Sequence, residues 1–378
     1  MAPEQESGAD ACQGLHLIDL STCGKIDDLS TDSVIAAPRC ALAIDDVWMP
    51  RLPEPRIDTF RRRERDGAPV NDRRLARALD AGEFVRIAPG SFARAFDWRT
   101  LTPIEQHHLR VIEAADRAQG ELIVMGAAAA AVHGIDRIGP WPRTIDIAVP
   151  RRGGGRSTGL MRRRGFSDLD LETVAWRNHR ITTPAQTAID VARECGYARG
   201  VVAMDQALWQ RRPGGALTTI DDLTRVLTEG IRRRGQEQAE RALCFASALA
   251  DSVRESQSRV LLDQLGFPAP SLQQRFLLPG SRVVFSDFWW EEFAHVGEFD
   301  GVGKYFDPAL LHGRTPEEAM LEEKDRADQL RRHVRALSRW RTPALRDVRE
   351  LYDILCGDGL PSRLPRPPAG LQIGPAAW

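Results

Sequence analysis

Lysine is nearly absent from this chain: Lys25, Lys304 and Lys324 are the only three among 52 basic residues. Arginine fills almost every other cationic position, and its planar guanidinium is not equivalent to a compact, readily titrated ammonium. Lys304 and Lys324 both fall in one acidic, aromatic block between residues 286 and 331. The scarcity of lysine therefore makes this block the first candidate for a catalytic site.

Cysteine pairs and long apolar runs are also missing. The six cysteines include no CxxC pair and have no histidine partners at metal-ligand spacing, so neither a zinc site nor a disulfide framework is indicated. No apolar run approaches the roughly 20 residues that a membrane span needs, and the first residues are acidic where a signal peptide is basic. These features predict a cytoplasmic protein with no membrane partner.

The chain near residue 60 has the order helix, turn, helix, hairpin. A basic helix is predicted at 56–65, a second helix at 70–83, and a short hairpin at 84–93 that turns at Pro89 and Gly90. A helix-turn-helix followed by a small β-wing is typical of winged-helix DNA-binding modules. The sequence therefore predicts a winged helix-turn-helix.

Three arginines mark one side of the second predicted helix. Arg73, Arg74 and Arg77 recur at i, i+1 and i+4, while Leu75 and Leu79 face inward. Arginines placed in this way can bind the phosphates and base edges of double-stranded DNA. The alternative is an ordinary solvated arginine face. The main argument against this alternative is the predicted wing that follows the helix directly.

The middle of the chain alternates strands and helices. A strand at 121–126 runs into an alanine helix, a second strand follows at 144–150, and amphipathic helices are predicted at 183–194 and beyond. The outline is similar to the start of a nucleotidyltransferase, which needs two acidic residues one apart on a strand. Asp146 is followed by Ile147 and Ala148, so the second metal ligand is missing and transferase activity is not predicted.

Acidic residues cluster in a predicted hairpin of the acidic, aromatic block. If Glu291 to Ala294 form its loop, Trp290 pairs with His295 and Asp287 pairs with Glu298. Side chains alternate between the two faces of a strand, so Asp300 lies on the same face as Glu298. Three carboxylates on one face repel unless a cation compensates, and Mg²⁺ or Mn²⁺ is the natural partner. Asp287, Glu298 and Asp300 are therefore predicted as metal ligands.

The order of elements around this hairpin is that of the PD-(D/E)xK nuclease core. A helix that begins after Ser252 and carries Glu255 precedes the hairpin, and a helix with a capping box at Thr315 and a strand ending at Trp340 follow it. In such cores Asp and Glu bind the metal and a lysine stabilises the transition state. Here Asp300 stands in the position of that lysine, so the ammonium must come from Lys304 or from Lys324; the spacing does not choose between them.

Residues 55–345 resemble a group of actinobacterial proteins that combine an AbiEi-type antitoxin winged helix with a C-terminal domain similar to very-short-patch repair endonucleases. The resemblance rests on these segments: GEFVRIAPGSFA (82–93), AAAAAVHGI (127–135), TTPAQTAIDVAR (182–193), RESQSRVLLDQLGFPAP (254–270), SDFWW, GEFDGVGKY and EEKDRADQLR. It implies a restriction-endonuclease-like fold in which Glu255, Asp287, Glu298 and Lys304 or Lys324 stand at the catalytic positions. Antitoxins of this type repress their own operon, and the nuclease fold also occurs as a noncatalytic scaffold.

The expected architecture is a multidomain α/β protein. It has a weakly ordered extension (1–52), a winged helix-turn-helix (53–98), an α/β middle domain (99–245), a restriction-endonuclease-like α/β/α domain (246–345) and a C-terminal tail (346–378). Two functions are predicted: a DNA-binding protein of toxin-antitoxin or defence type with a Mg²⁺-dependent endonuclease domain, or an AbiEi-like repressor whose nuclease-like domain is not catalytic. Double-stranded DNA is the expected partner of both, and a cognate toxin is a further one.

Overall fold

The described residues form a mixed α/β structure with three separate sheets. The computed structural model describes residues 53–61, 72–151, 157, 159–166, 171–231, 233–279, 282–301 and 315–371. The predicted extension at 1–52 and the candidate residue Lys304 lie outside the described residues. None of the helices in the described ranges is both long and apolar enough to cross a membrane.

The N-terminal sheet is antiparallel with strand order β1-β3-β2. Its elements and the helices around it are β1 (Thr59–Arg61), α1 (Asp72–Asp80), β2 (Phe84–Ala88), β3 (Ser91–Arg94), α2 (Ala95–Thr100) and α3 (Pro103–Ala115). Gly90 has φ +74° and supplies the left-handed residue of the β2–β3 turn. Ile87, Ala93, Trp98 and Leu109 form a small core beneath the sheet. The predicted second helix and hairpin are thus confirmed.

The helix predicted at 56–65 is wrong over its first six residues. This part of the chain is extended, and Thr59 to Arg61 pair with β3. Phe60 lies opposite Phe92, with ring centroids 5.6 Å apart. A β-branched and aromatic segment gains more from this cross-strand packing than from a solvated helix, so tertiary pairing overrides the arginine-rich pattern.

The middle sheet has five strands in the order β6-β5-β4-β8-β7. The elements of this region are β4 (Ile123–Val124), α4 (Gly126–His133), β5 (Ile145–Pro150), β6 (Met161–Phe166), β7 (Thr173–Trp176), β8 (His179–Thr182), α5 (Pro184–Cys195), α6 (Tyr197–Leu208), α7 (Ile220–Glu229) and α8 (Gln236–Phe245). Helices α5 to α8 enclose a core of small and branched side chains that includes Ile189, Met204 and Leu223. The buried Asp146 of β5 is held by Arg162, whose Nη2 lies 2.6 Å from Oδ2. The predicted α/β middle region is confirmed.

The C-terminal sheet has the strand order β12-β11-β10-β9, and only its β11–β12 pair is parallel. Its elements in chain order are α9 (Val253–Gln264), β9 (Ser271–Leu278), β10 (Arg282–Trp290), β11 (His295–Phe299), α10 (Pro316–Arg331), β12 (Ala336–Trp340), α11 (Thr342–Arg346) and α12 (Val348–Gly357). Ser252 caps α9, and Thr315 forms a capping box with Glu318 at the start of α10, as the sequence predicts. Helix α10 is the crossover that joins the two parallel strands.

The hairpin register agrees with the prediction. Trp290 is opposite His295, a short 3₁₀ turn at Glu291–Phe293 forms the loop, and Ala294 closes it with φ +43°. Phe288 and Trp290 pack in one core with Leu261 of α9 and with Trp340. The other face of the sheet packs Trp289 and Val296 against Leu330 of α10. The sheet is therefore covered on both faces.

The C-terminal segment extends this domain beyond residue 345. Leu351 and Leu355 of α12, with Leu360 after it, belong to the same core as Phe288. Helix α9 has a double role, because its Val260 packs in the core of the middle helices whereas Leu261 packs under the C-terminal sheet. The predicted tail thus contains structural elements of the domain, and the predicted boundary at 245 precedes a helix shared by two cores.

Candidate functional site

Asp287 lies at the end of the hairpin ladder. The pairs between β10 and β11 run from Trp290 opposite His295 to Phe288 opposite Gly297, and Asp287 is the next residue of β10. Its Oδ2 accepts a hydrogen bond from the backbone N–H of Phe299 at 2.9 Å. The Asp287 carboxylate is thereby fixed beside the strand that carries Glu298.

Glu255 is buried in the first turn of α9 and interacts with Asp287. Its carboxylate accepts hydrogen bonds from the Asp251 N–H at 2.9 Å, the Ser252 hydroxyl at 2.8 Å and the Gln273 amide at 3.1 Å. Burial and the nearby Asp287 carboxylate raise the pKa of Glu255 to about 7. Gln273 has φ +53°, an unusual conformation for a residue with a Cβ atom, and marks a local irregularity in β9 beside this acid.

Glu298 is held by two arginines. Its Oε1 lies 2.8 Å from Arg326 Nη2 of α10, and its Oε2 lies 2.7 Å from Arg339 Nη2 of β12. The Glu298 side chain is only 7% exposed, so both ion pairs lie in a partly desolvated setting. Each carboxylate oxygen of Glu298 thus has its own guanidinium partner.

Asp300 has a separate partner. Its Oδ2 accepts hydrogen bonds from Arg341 Nε at 2.9 Å and from Arg341 Nη2 at 2.6 Å. Glu298 and Asp300 therefore do not rely on one shared cation. Arginine supplies at both positions the positive charge that the sequence analysis assigned to a divalent ion.

Of the two candidate lysines, the structure describes only Lys324. Lys324 has an exposed side chain on α10, whereas Arg326, two residues further on, reaches Glu298. Residues two apart on a helix do not face the same side. The cation that helix α10 directs at the acidic strand is therefore Arg326, while Lys304 lies outside the described residues.

A divalent ion fits the described donors poorly. Mg²⁺ and Mn²⁺ prefer a compact set of oxygen ligands, and within the described ranges no group of three or more His, Cys, Asp or Glu side chains lies close enough to hold a metal. Glu298 has both oxygens on arginines, which leaves Glu255 and Asp287 as the interacting acids. Asp287, Glu298 and Asp300 do not form such a group among the described residues, and a metal site built on them stays a prediction.

Comparison with known proteins gives a partial match. No family model matches the chain. Over 135 residues it is 30% identical to the uncharacterized proteins MT2308 and Rv2248 of two Mycobacterium tuberculosis strains, CDC 1551 / Oshkosh and ATCC 25618 / H37Rv. The match covers 35% of this chain and 48% of each relative, so the chain spans about half the length of the proteins it matches.

The arginines of the N-terminal module form a second candidate site. Arg73, Arg74 and Arg77 of α1 are all exposed, whereas Leu75 is buried, as the sequence predicts. The hairpin that follows exposes Arg86 on β2 and Arg94 on β3. The module therefore presents cations on its helix and on its hairpin.

The cations beside the acidic residues differ from those that the sequence predicts. Arg326, Arg339 and Arg341 are the partners of these acids, whereas the sequence pattern indicates a lysine. Arg339 lies opposite Glu298 in the parallel β11–β12 pair. The register of β12 against β11 is the signal that identifies Arg339 as the partner of Glu298.

The raised pKa of Glu255 predicts a pH-dependent stability. A carboxyl whose pKa is higher in the folded state stabilises the fold at low pH, and this contribution is lost as the pH rises through the folded value of about 7. The difference from the ordinary value of 4.5 sets a ceiling of ~3 kcal/mol on the change in the free energy of unfolding. The wild type should therefore lose stability relative to Glu255→Gln between about pH 5 and about pH 8.

Urea denaturation of both proteins across this range measures the effect. Taking the difference between them removes the contributions of the other groups that titrate there, such as Asp190, whose pKa burial also raises to about 7. A constant difference between the two proteins at all pH values would show that Glu255 keeps the same charge state in the folded and unfolded chain.

Proposed function

We propose that the chain is a DNA-binding protein of the antitoxin-repressor type, in which the N-terminal module contacts double-stranded DNA. The observation that carries this proposal is the exposed row of Arg73, Arg74 and Arg77 on the helix immediately before a β-hairpin. A helix and a wing that both present arginines can bind the phosphates of adjacent DNA segments. In this proposal α1 contacts the duplex and the β2–β3 hairpin is the wing of a winged-helix-like module, in which β1 stands where the sequence predicted a first helix.

The C-terminal domain is, in the same proposal, a restriction-endonuclease-like scaffold that works without a metal ion. Its elements follow the order helix, three strands, helix, strand, which supports a PD-(D/E)xK-like core. The two arginines on Glu298 support the metal-independent role, because they compensate its charge and occupy both of its oxygens. A cognate toxin remains a proposed partner that rests on the family resemblance alone.

A Mg²⁺- or Mn²⁺-dependent DNA endonuclease is the second candidate, favoured by the interaction between Glu255 and Asp287. A buried acid such as Glu255, whose pKa is raised by burial and by a neighbouring carboxylate, is typical of functional sites. This candidate requires Glu298 to exchange its arginines for the ion. Lys304 or Lys324 would then supply the electrostatic contribution to hydrolysis.

Magnesium titration separates the two candidates. Trp289 and Trp290 lie close to Asp287 in β10, so an ion bound there should change tryptophan fluorescence. We expect no saturable change with Mg²⁺ or Mn²⁺, duplex binding that is equal with and without chelator, and no cleavage of supercoiled DNA. Asp287→Ala should leave all three readouts as in the wild type.

The matched control is Asp325→Ala, which removes an exposed acid of α10. A saturable fluorescence change and metal-dependent DNA cleavage that are both lost in Asp287→Ala, but kept in Asp325→Ala, would replace the scaffold proposal with the endonuclease.

A further inference from the structure

A cavity of about 680 Å³ lies in the middle region, between strand β6, helix α5 and the start of α8. Its lining residues are different from those that the proposed function uses. Two carboxylates, Asp190 and Glu194, line it together with five arginines: Arg162, Arg164, Arg193, Arg233 and Arg234. Asp146 pairs with Arg162 and Arg164. Five guanidinium groups thus meet three carboxylates among the lining residues and their ion-pair partners, an excess of two positive charges. Glu240, which accepts a hydrogen bond from Gln236 at 3.1 Å, partly offsets this excess.

Arg193 is the most deeply buried cation of the cavity. Its side chain is 4% exposed, and it donates from Nε and Nη2 to the Gln236 Oε1 at 3.2 Å and 2.7 Å. A neutral amide orients a guanidinium but does not neutralise it. Burial of a positive charge is costly unless negative charge compensates it. The setting of Arg193 is therefore suited to an anion in the cavity.

Asp190 is a weak source of that negative charge. Its Oδ1 lies 3.6 Å from Arg233 Nη1 and 3.9 Å from Arg193 Nη1, and its Oδ2 is buried with no hydrogen-bond partner in the described part of the chain. Burial raises the pKa of Asp190 to about 7, so the carboxyl is partly protonated at neutral pH. Because a protonated Asp190 carries no negative charge, the excess positive charge among the five guanidinium groups and three carboxylates is then larger than two.

The cavity wall is built around the first turn of α8. Gly235 has φ +82°, and a Cβ atom there would lie 2.8 Å from the carbonyl carbon of Arg193. Only glycine lets helix α8 begin this close to Arg193. Gly235 and Gln238 both line the cavity, which places the positive end of the helix dipole at its edge.

We propose that this cavity binds a small polyphosphate anion, such as the diphosphate or triphosphate group of a nucleotide. Guanidinium groups bind phosphate oxygens in bidentate geometry, and an excess of two charges matches a ligand with more than one phosphate. The volume is in the range of small-molecule sites and is larger than one phosphate needs. Phe166, whose ring lies 4.7 Å from Arg233 Cζ, adds an aromatic surface at the same wall.

Isothermal titration of the full chain with inorganic pyrophosphate, ATP and duplex DNA tests the proposal. Pyrophosphate and ATP should each bind at one site and compete with each other. Arg234→Glu reverses the charge of an exposed arginine of the cavity and should weaken both by about tenfold or more. Asp190→Asn removes a negative charge and should tighten both several-fold.

Arg180→Glu is the matched control, because Arg180 is an exposed arginine of β8 that does not line the cavity. It should leave both affinities within about twofold. The absence of saturable binding of pyrophosphate and ATP would overturn the proposal, as would equal weakening by Arg180→Glu. Binding of duplex DNA alone, weakened by Arg234→Glu, would assign the cavity to a nucleic-acid surface instead. The pyrophosphate and ATP affinities do not depend on the N-terminal module, so their failure and the failure of the DNA-binding proposal are distinguishable.

Discussion

Replacement of Arg259 by methionine is expected to lower the free energy of unfolding by about 3–5 kcal/mol. Arg259 Nη1 lies 2.6 Å from Asp205 Oδ2, and the two side chains are 10% and 0% exposed. Without Arg259 the Asp205 carboxylate stays buried with no guanidinium beside it. Burial already raises the pKa of Asp205, and Arg259 is the first group that counteracts this. The variant must therefore bury an uncompensated charge or protonate it.

Because of its position, Arg259 is expected to affect the stability of both the middle and the C-terminal core. Arg259 also donates from Nη2 to the Phe245 carbonyl at 2.7 Å and lies over the Phe245 ring at 4.7 Å. Its neighbours Val260 and Leu261 belong to the middle core and to the C-terminal core. Helix α9 thus contributes to both cores, and the Arg259–Asp205 ion pair joins it to α6. We expect both cores of the variant to unfold in one transition, at a lower urea concentration than in the wild type.

The double variant Asp205→Asn/Arg259→Met separates charge from packing. Asparagine can still accept the Ser247 N–H that now bonds to Asp205 Oδ1 at 2.7 Å, but it carries no charge. The double variant should be more stable than Arg259→Met alone, because no uncompensated carboxylate remains. If Arg259→Met lowers the free energy of unfolding by less than about 1 kcal/mol, the Arg259–Asp205 pair contributes no more than a solvent-exposed ion pair does.

Local signals predicted much of the C-terminal domain. The cap at Ser252, the capping box at Thr315 and the four-residue hairpin loop depend on residues close in sequence, so their patterns were sufficient. The register that sets Trp290 against His295 follows directly from that loop. The packing of elements that are distant in sequence was not predictable. Leu355 of α12 belongs to the same core as Leu261 of α9, and no local sequence pattern indicates this.

Partners distant in sequence were not predictable. Glu298 and Arg339 are 41 residues apart, on parallel strands joined through a 16-residue helix. An alternating pattern fixes which face a side chain occupies but not the register of a parallel neighbour. Likewise, Arg259 is one turn from Glu255 on α9, yet its partner is Asp205 of α6. The scarcity of lysine indicates a candidate site in the C-terminal domain, but the structure places arginine beside the acids there.

Neutralising Arg73, Arg74 and Arg77 together is expected to lower affinity for duplex DNA by at least about 100-fold at low salt. All three side chains are exposed on α1, and Leu75 anchors the opposite side of the helix in the module. If each arginine neutralises one phosphate, the slope of log affinity against log salt should fall in magnitude by ~2.7. Fluorescence anisotropy with a labelled duplex of random sequence, titrated at several salt concentrations, measures both effects for the triple glutamine variant.

The matched control changes the same net charge elsewhere. Arg180, Arg332 and Arg363 are exposed arginines outside the N-terminal module, and their triple glutamine variant should keep the wild-type salt slope. Contacts to base edges would appear separately, as a loss that persists at high salt and depends on the DNA sequence. An equal loss in both triple variants would mean that the chain attracts DNA through its overall arginine content. Helix α1 would then be a solvated surface, and the DNA-binding proposal would lose the observation on which it rests.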